Sequence, residues 1–109
     1  YGVPNIMILN FNCIRYFISG YFHQDWDIYG STDKDVIAYF VNKEPLDQVN
    51  TLISELESLL ELDMDNETAD IILKESGCEY YYQADGLNAM DWFSRIEGLL
   101  KTERTRLSV

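Results

Sequence analysis

The chain has 109 residues, of which 19 are acidic and 8 are basic, so its formal net charge is −11. Its hydrophobic fraction of 47% is too high for a disordered chain, and its length fits one domain spanning residues 1–109. The negative charge argues against nucleic acid and anionic membrane surfaces as partners and favours a basic protein.

The first predicted element lies within residues 5–19, which are apolar on nearly every side, as is typical of a buried helix. The alternation Leu9-Asn10-Phe11-Asn12-Cys13 would also suit a strand, so that alternative stays open. The apolar run at residues 6–9 is far shorter than the ~20 residues of a membrane span, and no basic segment precedes it. We therefore expect neither a membrane partner nor a secretory signal.

Two further helices are predicted on either side of Pro45. Thr32, with Asp35 three residues later, resembles a capping box at the start of the first. The second follows Pro45 and has its apolar residues at helical spacing. The apolar stripe consists of Val49, Leu52, Ile53, Leu56, Leu59 and Leu60.

The last two helices are predicted at residues 66–76, closed by Gly77, and from Asn88 onward, with Asp91 at the third helical position. Between them, residues 79–86 have no helical stripe and read as an irregular loop or a short strand. The sequence therefore predicts a mainly α, compact single-domain bundle of about five helices.

The acidic residues are concentrated in residues 25–91, which hold 17 acids against three lysines. They alternate with regularly spaced apolar residues, which is typical of folded helices with solvated acidic faces. The excess goes beyond what solubility requires and favours a basic partner. Cys13 and Cys78 are the only cysteines. We expect reduced thiols in a cytoplasmic protein, with a disulfide as the alternative.

Catalytic and metal-binding motifs are weak. His23, the only histidine, lies in the run His23-Gln24-Asp25-Trp26-Asp27, which could form a metal-assisted hydrolytic site or an ordinary loop in which His23 bonds to backbone. Residues 63–67 resemble a calcium loop, but Thr68 stands where that loop needs glycine. No glycine-rich phosphate loop or Gly-x-Ser-x-Gly motif is present. We therefore expect no enzyme and no cofactor.

Two runs of residues resemble a known protein family, and the resemblance covers about residues 14–100. The runs are Gly20-Tyr21-Phe22-His23-Gln24-Asp25-Trp26-Asp27 and Gly77-Cys78-Glu79-Tyr80. The first run is followed by Tyr29-Gly30-Ser31 and an amphipathic helix, and the second by a helix that carries Trp92 and Arg95-Ile96. In these features the chain resembles the CdiI-type immunity proteins of bacterial contact-dependent growth inhibition systems.

The resemblance implies a cytoplasmic protein that binds the C-terminal toxin domain of its cognate exoprotein in a 1:1 complex. Such toxins are frequently nucleases, and immunity usually comes from blocking the active site or the substrate cleft. The resemblance also implies that the motif residues themselves serve the fold, whereas contacts to the toxin lie on the acidic surface. A generic acidic adaptor for another basic protein is the alternative, followed by a hydrolase using His23, Asp25 and Asp27.

The candidate toxin-binding residues are chosen for charge and for exposed tyrosine, because adjacent tyrosines cannot all face inward and tyrosine is enriched at interfaces. They form two predicted patches. The first contains Asp25, Asp27, Tyr29, Asp33 and Asp35. The second contains Glu79, Tyr80 and Tyr82.

Overall fold

The computed structural model describes residues 11–107, in which five α-helices and two short 3₁₀ turns are present and no strand occurs. The prediction of a mainly α domain is confirmed. The helices are α1 (Asn12–Tyr21), α2 (Asp33–Lys43), α3 (Leu46–Glu61), α4 (Asn66–Glu75) and α5 (Ala89–Leu107). The 3₁₀ turns are Trp26–Ile28 and Tyr82–Asp85.

Helix α1 confirms the helical prediction from Asn12 onward, and the strand alternative is wrong for the described part of that stretch. The remaining residues of the prediction, 5–10, lie outside the described residues. The helix buries a stripe made of Ile14, Phe17, Ile18 and Tyr21. Its N-cap residue provides no side-chain cap. Instead, the carboxylate of Glu55 on α3 accepts the backbone N–H groups of Cys13 at 3.1 Å and Ile14 at 3.0 Å.

The starts of α2 and α4 follow local capping rules. The Thr32 hydroxyl accepts the Asp35 N–H at 3.3 Å, and the Asp65 carboxylate accepts the Thr68 N–H at 2.8 Å. In a standard capping box the Asp35 carboxylate would accept the N–H of the N-cap residue, Thr32. Here it accepts the N–H of Ser31, the residue before the N-cap. The acidic run at residues 63–67 thus caps a helix.

Helix α4 ends in a Schellman motif, and α5 begins beside the start of α4. Gly77 has a φ of +87°, and the N–H of Cys78 bonds to the Leu73 carbonyl at 3.0 Å. The Asn88 side chain accepts the N–H of Asp91 at 2.8 Å, as the sequence predicts. The Asn66 side chain accepts the N–H of Met90 at 3.0 Å, which joins the two helix starts.

The core is centred on α5, which packs against α2, α3 and α4, while α1 packs against α3. A chain of aromatic contacts crosses the core, with ring centroids of Phe17 4.7 Å from Phe40 and 5.3 Å from Phe22. Phe22 in turn lies 5.1 Å from Trp92 of α5. Within residues 11–107, no helix is long and apolar enough to cross a membrane. Cys13 and Cys78 are free thiols, each half-buried.

Candidate functional site

The two predicted patches lie side by side. The N–H of Glu79 donates to the Phe22 carbonyl at 2.8 Å, and the ring centroids of Trp26 and Tyr80 are 4.8 Å apart. These contacts join the loop at residues 23–32 to the loop at residues 77–86. We call the exposed side of these two loops, with Asp35 at its edge, the two-loop surface.

Asp33 lies beneath this surface and is only 1% exposed. Its carboxylate accepts three hydrogen bonds, from Trp92 Nε1 at 3.1 Å, Arg95 Nε at 2.8 Å and Arg95 Nη2 at 3.0 Å. Burial raises the pKa of Asp33, but the hydrogen bonds from Arg95 and Trp92 outweigh burial and hold the pKa below its usual value. The prediction that Asp33 is an exposed contact residue is therefore wrong, because within the first turn of α2 this side chain points toward α5.

Two tyrosines of the second patch also turn toward α5. The rings of Tyr80 and Tyr82 stack on the Trp92 indole, with centroid distances of 5.3 Å and 5.1 Å. We refer to Asp33, Trp92, Arg95, Tyr80 and Tyr82 as the Asp33 cluster. It contains Tyr80 from one motif run and Trp92 and Arg95 from the helix that follows that run.

The hydroxyl groups of these two tyrosines donate hydrogen bonds to carboxylates. Tyr80 donates to Asp85 at 2.6 Å, and Tyr82 donates to Asp70, which also pairs with Lys74. Burial raises the pKa of Tyr80 and Tyr82, and the hydrogen bonds to carboxylates raise it further. Tyr82 is 4% exposed, so the expectation that it presents its ring to a partner is wrong, while Tyr80 is half-buried.

Tyr81 is the exposed member of the tyrosine run, with 69% of its surface accessible, and sequence reasoning missed it. In the structure the side chains of this run alternate: Glu79, Tyr81 and Gln83 are exposed, whereas Tyr80 and Tyr82 are covered. Such a two-residue alternation is a pattern that could have been considered from the sequence. Alternation alone shows that neighbouring side chains face opposite sides. Only the position of Trp92 decides which side is the core.

The first loop presents Asp25 and Asp27, both exposed as predicted, together with Ile28, which is 70% exposed and was also missed. Tyr29 is half-buried and stacks on Tyr39, with ring centroids 5.0 Å apart. His23 Nδ1 accepts the N–H of Asp25 at 2.9 Å, which is the ordinary loop role considered for this histidine.

The same loop packs closely on the start of α2. A Cβ atom at Gly30 would come within 2.3 Å of the Asp35 Cβ, so glycine is needed at this approach. Asp35 itself is exposed. The loop thereby carries its acidic side chains next to the acidic first turn of α2. Among residues 11–107, no group of three or more His, Cys, Asp or Glu side chains could hold a metal ion.

Several carboxylates elsewhere serve the fold. Glu44 accepts the hydroxyl groups of Tyr16 at 2.9 Å and Tyr21 at 2.5 Å. Lys101 pairs with Glu57 at 2.9 Å and with Glu97 at 3.4 Å. By contrast, Asp25, Asp27 and Glu79 project into solvent from the two loops.

In the comparison with protein families, the model of the CdiI immunity protein family matches residues 10–100. The chain belongs to the CdiI immunity protein family. Both motif runs and the helices α1 to α4 fall inside the matched range, so the resemblance seen in the sequence is confirmed. Neither the comparison with curated proteins nor that with solved structures gives a match.

Membership of the CdiI immunity protein family implies a toxin-neutralising protein. In this CdiI protein, motif residues such as Phe22 and Tyr80 are packed around Trp92, and the Phe22 carbonyl accepts the N–H of Glu79. The motif thus builds the support of the two-loop surface. Asp25, Asp27 and Glu79 belong to the same runs but are exposed, and the exposed Ile28 and Tyr81 directly follow the two runs.

Proposed function

We propose that this CdiI immunity protein neutralises a basic toxin domain, a nuclease at the C-terminus of a contact-dependent inhibitor, by covering its substrate cleft with the two-loop surface. The complex would have 1:1 stoichiometry and form in the cytoplasm. The proposal rests on one observation, that two loops in contact with each other carry exposed carboxylates together with exposed Ile28 and Tyr81. Interfaces commonly have aromatic and apolar side chains at their centre and polar groups at their rim.

The charge pattern supports a basic partner. A nuclease cleft must attract phosphate groups, so its surface is basic, and carboxylates can occupy the positions of those phosphates. Asp25, Asp27, Asp35 and Glu79 present such carboxylates on the two-loop surface. Complementary charge of this kind speeds association and contributes to specificity.

The exposed apolar side chains can supply binding free energy that exposed charges alone do not. Exposed ion pairs contribute about 0–1 kcal/mol each, whereas buried aromatic and aliphatic anchors dominate the free energy of most interfaces. Ile28 and Tyr81 are the most exposed large apolar side chains of the two loops, so a partner could bury them. Asp33 and Tyr82 act in this proposal only as support, whereas Tyr29 and Tyr80 reach the surface with part of their rings.

Inhibition by binding has more support than the hydrolase alternative. His23 Nδ1 accepts a hydrogen bond from the backbone of its own loop, and the family is one of immunity proteins. The proposed action therefore requires a tight surface contact and no catalytic step by this chain.

The test is calorimetric titration of the toxin domain encoded beside this gene with the wild-type protein and with an Asp25→Lys, Asp27→Lys double variant. We expect tight binding by the wild type and a loss of about tenfold or more in the variant at low salt. The loss should shrink at high salt because exposed charges are screened. RNA and DNA degradation assays on the same samples identify the toxin activity and show whether the complex blocks it.

An Asp47→Lys, Glu61→Lys double variant provides the matched control. It changes the net charge equally, and both residues are exposed on α3, outside the two loops. We expect its affinity to stay within about twofold of the wild type. Equal losses in both variants would show that net charge alone matters and would remove the two-loop surface from the proposal.

A further inference from the structure

In the segment at residues 79–83, one aromatic ring is exposed to solvent while the residues on either side of it pack on α5. Tyr81 is 69% exposed, and its neighbours on both sides stack on Trp92. The Tyr80 and Tyr82 hydroxyl groups are also hydrogen-bonded, to Asp85 and Asp70. Because the residues on both sides are packed, the backbone that carries this ring needs little further ordering when a partner covers it, which favours binding.

The surroundings of Tyr81 indicate the chemistry of that partner group. A surface recess of about 270 Å³ lies beside the ring and is lined in part by Asp70, Lys74, Glu79 and Gln83. Lys74 is paired with Asp70 at 2.9 Å, while the Glu79 carboxylate is exposed. An aromatic ring next to an exposed carboxylate suits an arginine or lysine side chain, through cation–π contact and charge pairing.

We propose that Tyr81 is the aromatic anchor of the two-loop surface and that it receives a basic side chain of the toxin. Trp92 is then the positioning residue, because its indole carries the two tyrosines that flank Tyr81. This inference rests on the proposed function and adds to it the contact residue and the chemical class of the group it contacts.

The test measures the dissociation constant of the toxin complex for three substitutions of Tyr81. Tyr81→Ala removes the anchor and should weaken binding at least about 30-fold. Tyr81→Phe keeps the ring and should stay within about threefold. Tyr81→Leu keeps an apolar side chain without a π face, and should weaken binding about tenfold if a cation is bound.

Tyr16→Ala is the matched control. Tyr16 is 49% exposed on α1 and is not part of the two-loop surface, so its loss should change affinity by no more than about twofold. Tyr81→Ala within about threefold of wild type, in a protein whose Asp25→Lys, Asp27→Lys variant binds weakly, would overturn the anchor while the proposed function stands. Absence of any toxin binding by the wild type would overturn both. A Tyr81→Leu affinity equal to that of Tyr81→Phe would overturn the basic side chain as the bound group.

The role of Trp92 requires a measurement that a purely structural residue would not change. Trp92→Phe removes the Nε1 hydrogen bond to Asp33 and reduces the stacking area under Tyr80 and Tyr82. Measured at a temperature where all variants are folded, it should weaken binding about fivefold in the wild-type background and less than twofold in the Tyr81→Ala background. Equal losses in both backgrounds would show that Trp92 does not act through Tyr81.

Discussion

Replacing Asp33 with asparagine is the sharpest test of how the two-loop surface is supported. The carboxylate is buried and accepts one hydrogen bond from Trp92 and two from Arg95. Asparagine has nearly the same shape but offers one acceptor oxygen, and its amide would face donors. At least one of the three donors therefore loses its partner.

The size of the effect follows from the exposure of the two partners. Trp92 is 0% exposed, so an unpaired Nε1 would carry a desolvation penalty of about 1–3 kcal/mol. The Arg95 side chain is 43% exposed, so water can replace part of its bonding and the loss is smaller, about 1 kcal/mol. We expect Asp33→Asn to lower the free energy of unfolding by about 3 kcal/mol, a large share of the 5–15 kcal/mol typical of domains.

Urea unfolding, followed by tryptophan fluorescence and by circular dichroism, measures this change. Asp35→Asn is the matched control, because Asp35 lies in the same first turn of α2 but is exposed. The control shares the helix-dipole contribution and lacks the buried hydrogen bonds, so its loss should stay below about 1 kcal/mol. Losses that agree within about 0.5 kcal/mol in the two variants would refute the reasoning about the Asp33 cluster.

The dependence of stability on pH gives a second measurement on the same variants. The pKa of Asp33 is lower in the folded protein than in the unfolded chain, where it is about 3.9. The resulting stability is fully present above the unfolded pKa and is lost as pH falls through the folded pKa. Asp33→Asn should therefore flatten the loss of stability below about pH 4. Some slope should remain, because hydrogen bonds from Tyr82 and Lys74 also lower the pKa of Asp70.

Two further predictions concern α1 and the thiols. Glu55→Gln should destabilise the protein by about 1 kcal/mol in urea unfolding, since one amide oxygen cannot cap both Cys13 and Ile14; an unchanged midpoint relative to Glu61→Gln would contradict this. Burial, and for Cys13 also Glu55, raises the pKa of both cysteines to about 11, so iodoacetamide should alkylate them at pH 8 about tenfold or more slowly than free cysteine. Alkylation at the free-cysteine rate would contradict that environment.

The helices could be predicted from the sequence because their signals are local. Thr32, Asp65 and Asn88 each cap a helix through an N–H three residues later, and Gly77 ends α4. The cap of α1 could not be predicted in this way. It comes from Glu55 on α3, more than 40 residues away, and no pattern near Cys13 indicates it.

The candidate site was predicted only in part for the same reason. Asp33 is flanked by exposed Thr32 and Lys34, so its neighbours in sequence suggest exposure. Its partner Arg95 lies 62 residues away, and the pairing appears only when α2 packs on α5. The tyrosine run presents the same difficulty, because alternation fixes two opposite sides and the tertiary position of Trp92 then selects Tyr81 as the exposed ring.

The division between supporting and exposed residues bears on how such a protein could change its partner. Substitutions at exposed positions such as Asp27, Ile28 and Tyr81 should alter stability by no more than about 0.5 kcal/mol, whereas removal of Asp33 or Trp92 reaches the core. The contact chemistry of the two-loop surface can therefore vary while its backbone stays fixed. A transplant of the exposed residues within 23–29 and 79–83 between two proteins of this fold should, on this reasoning, move toxin specificity when the packed residues are kept. Those residues are Phe22, Tyr80, Tyr82, Trp92 and Arg95.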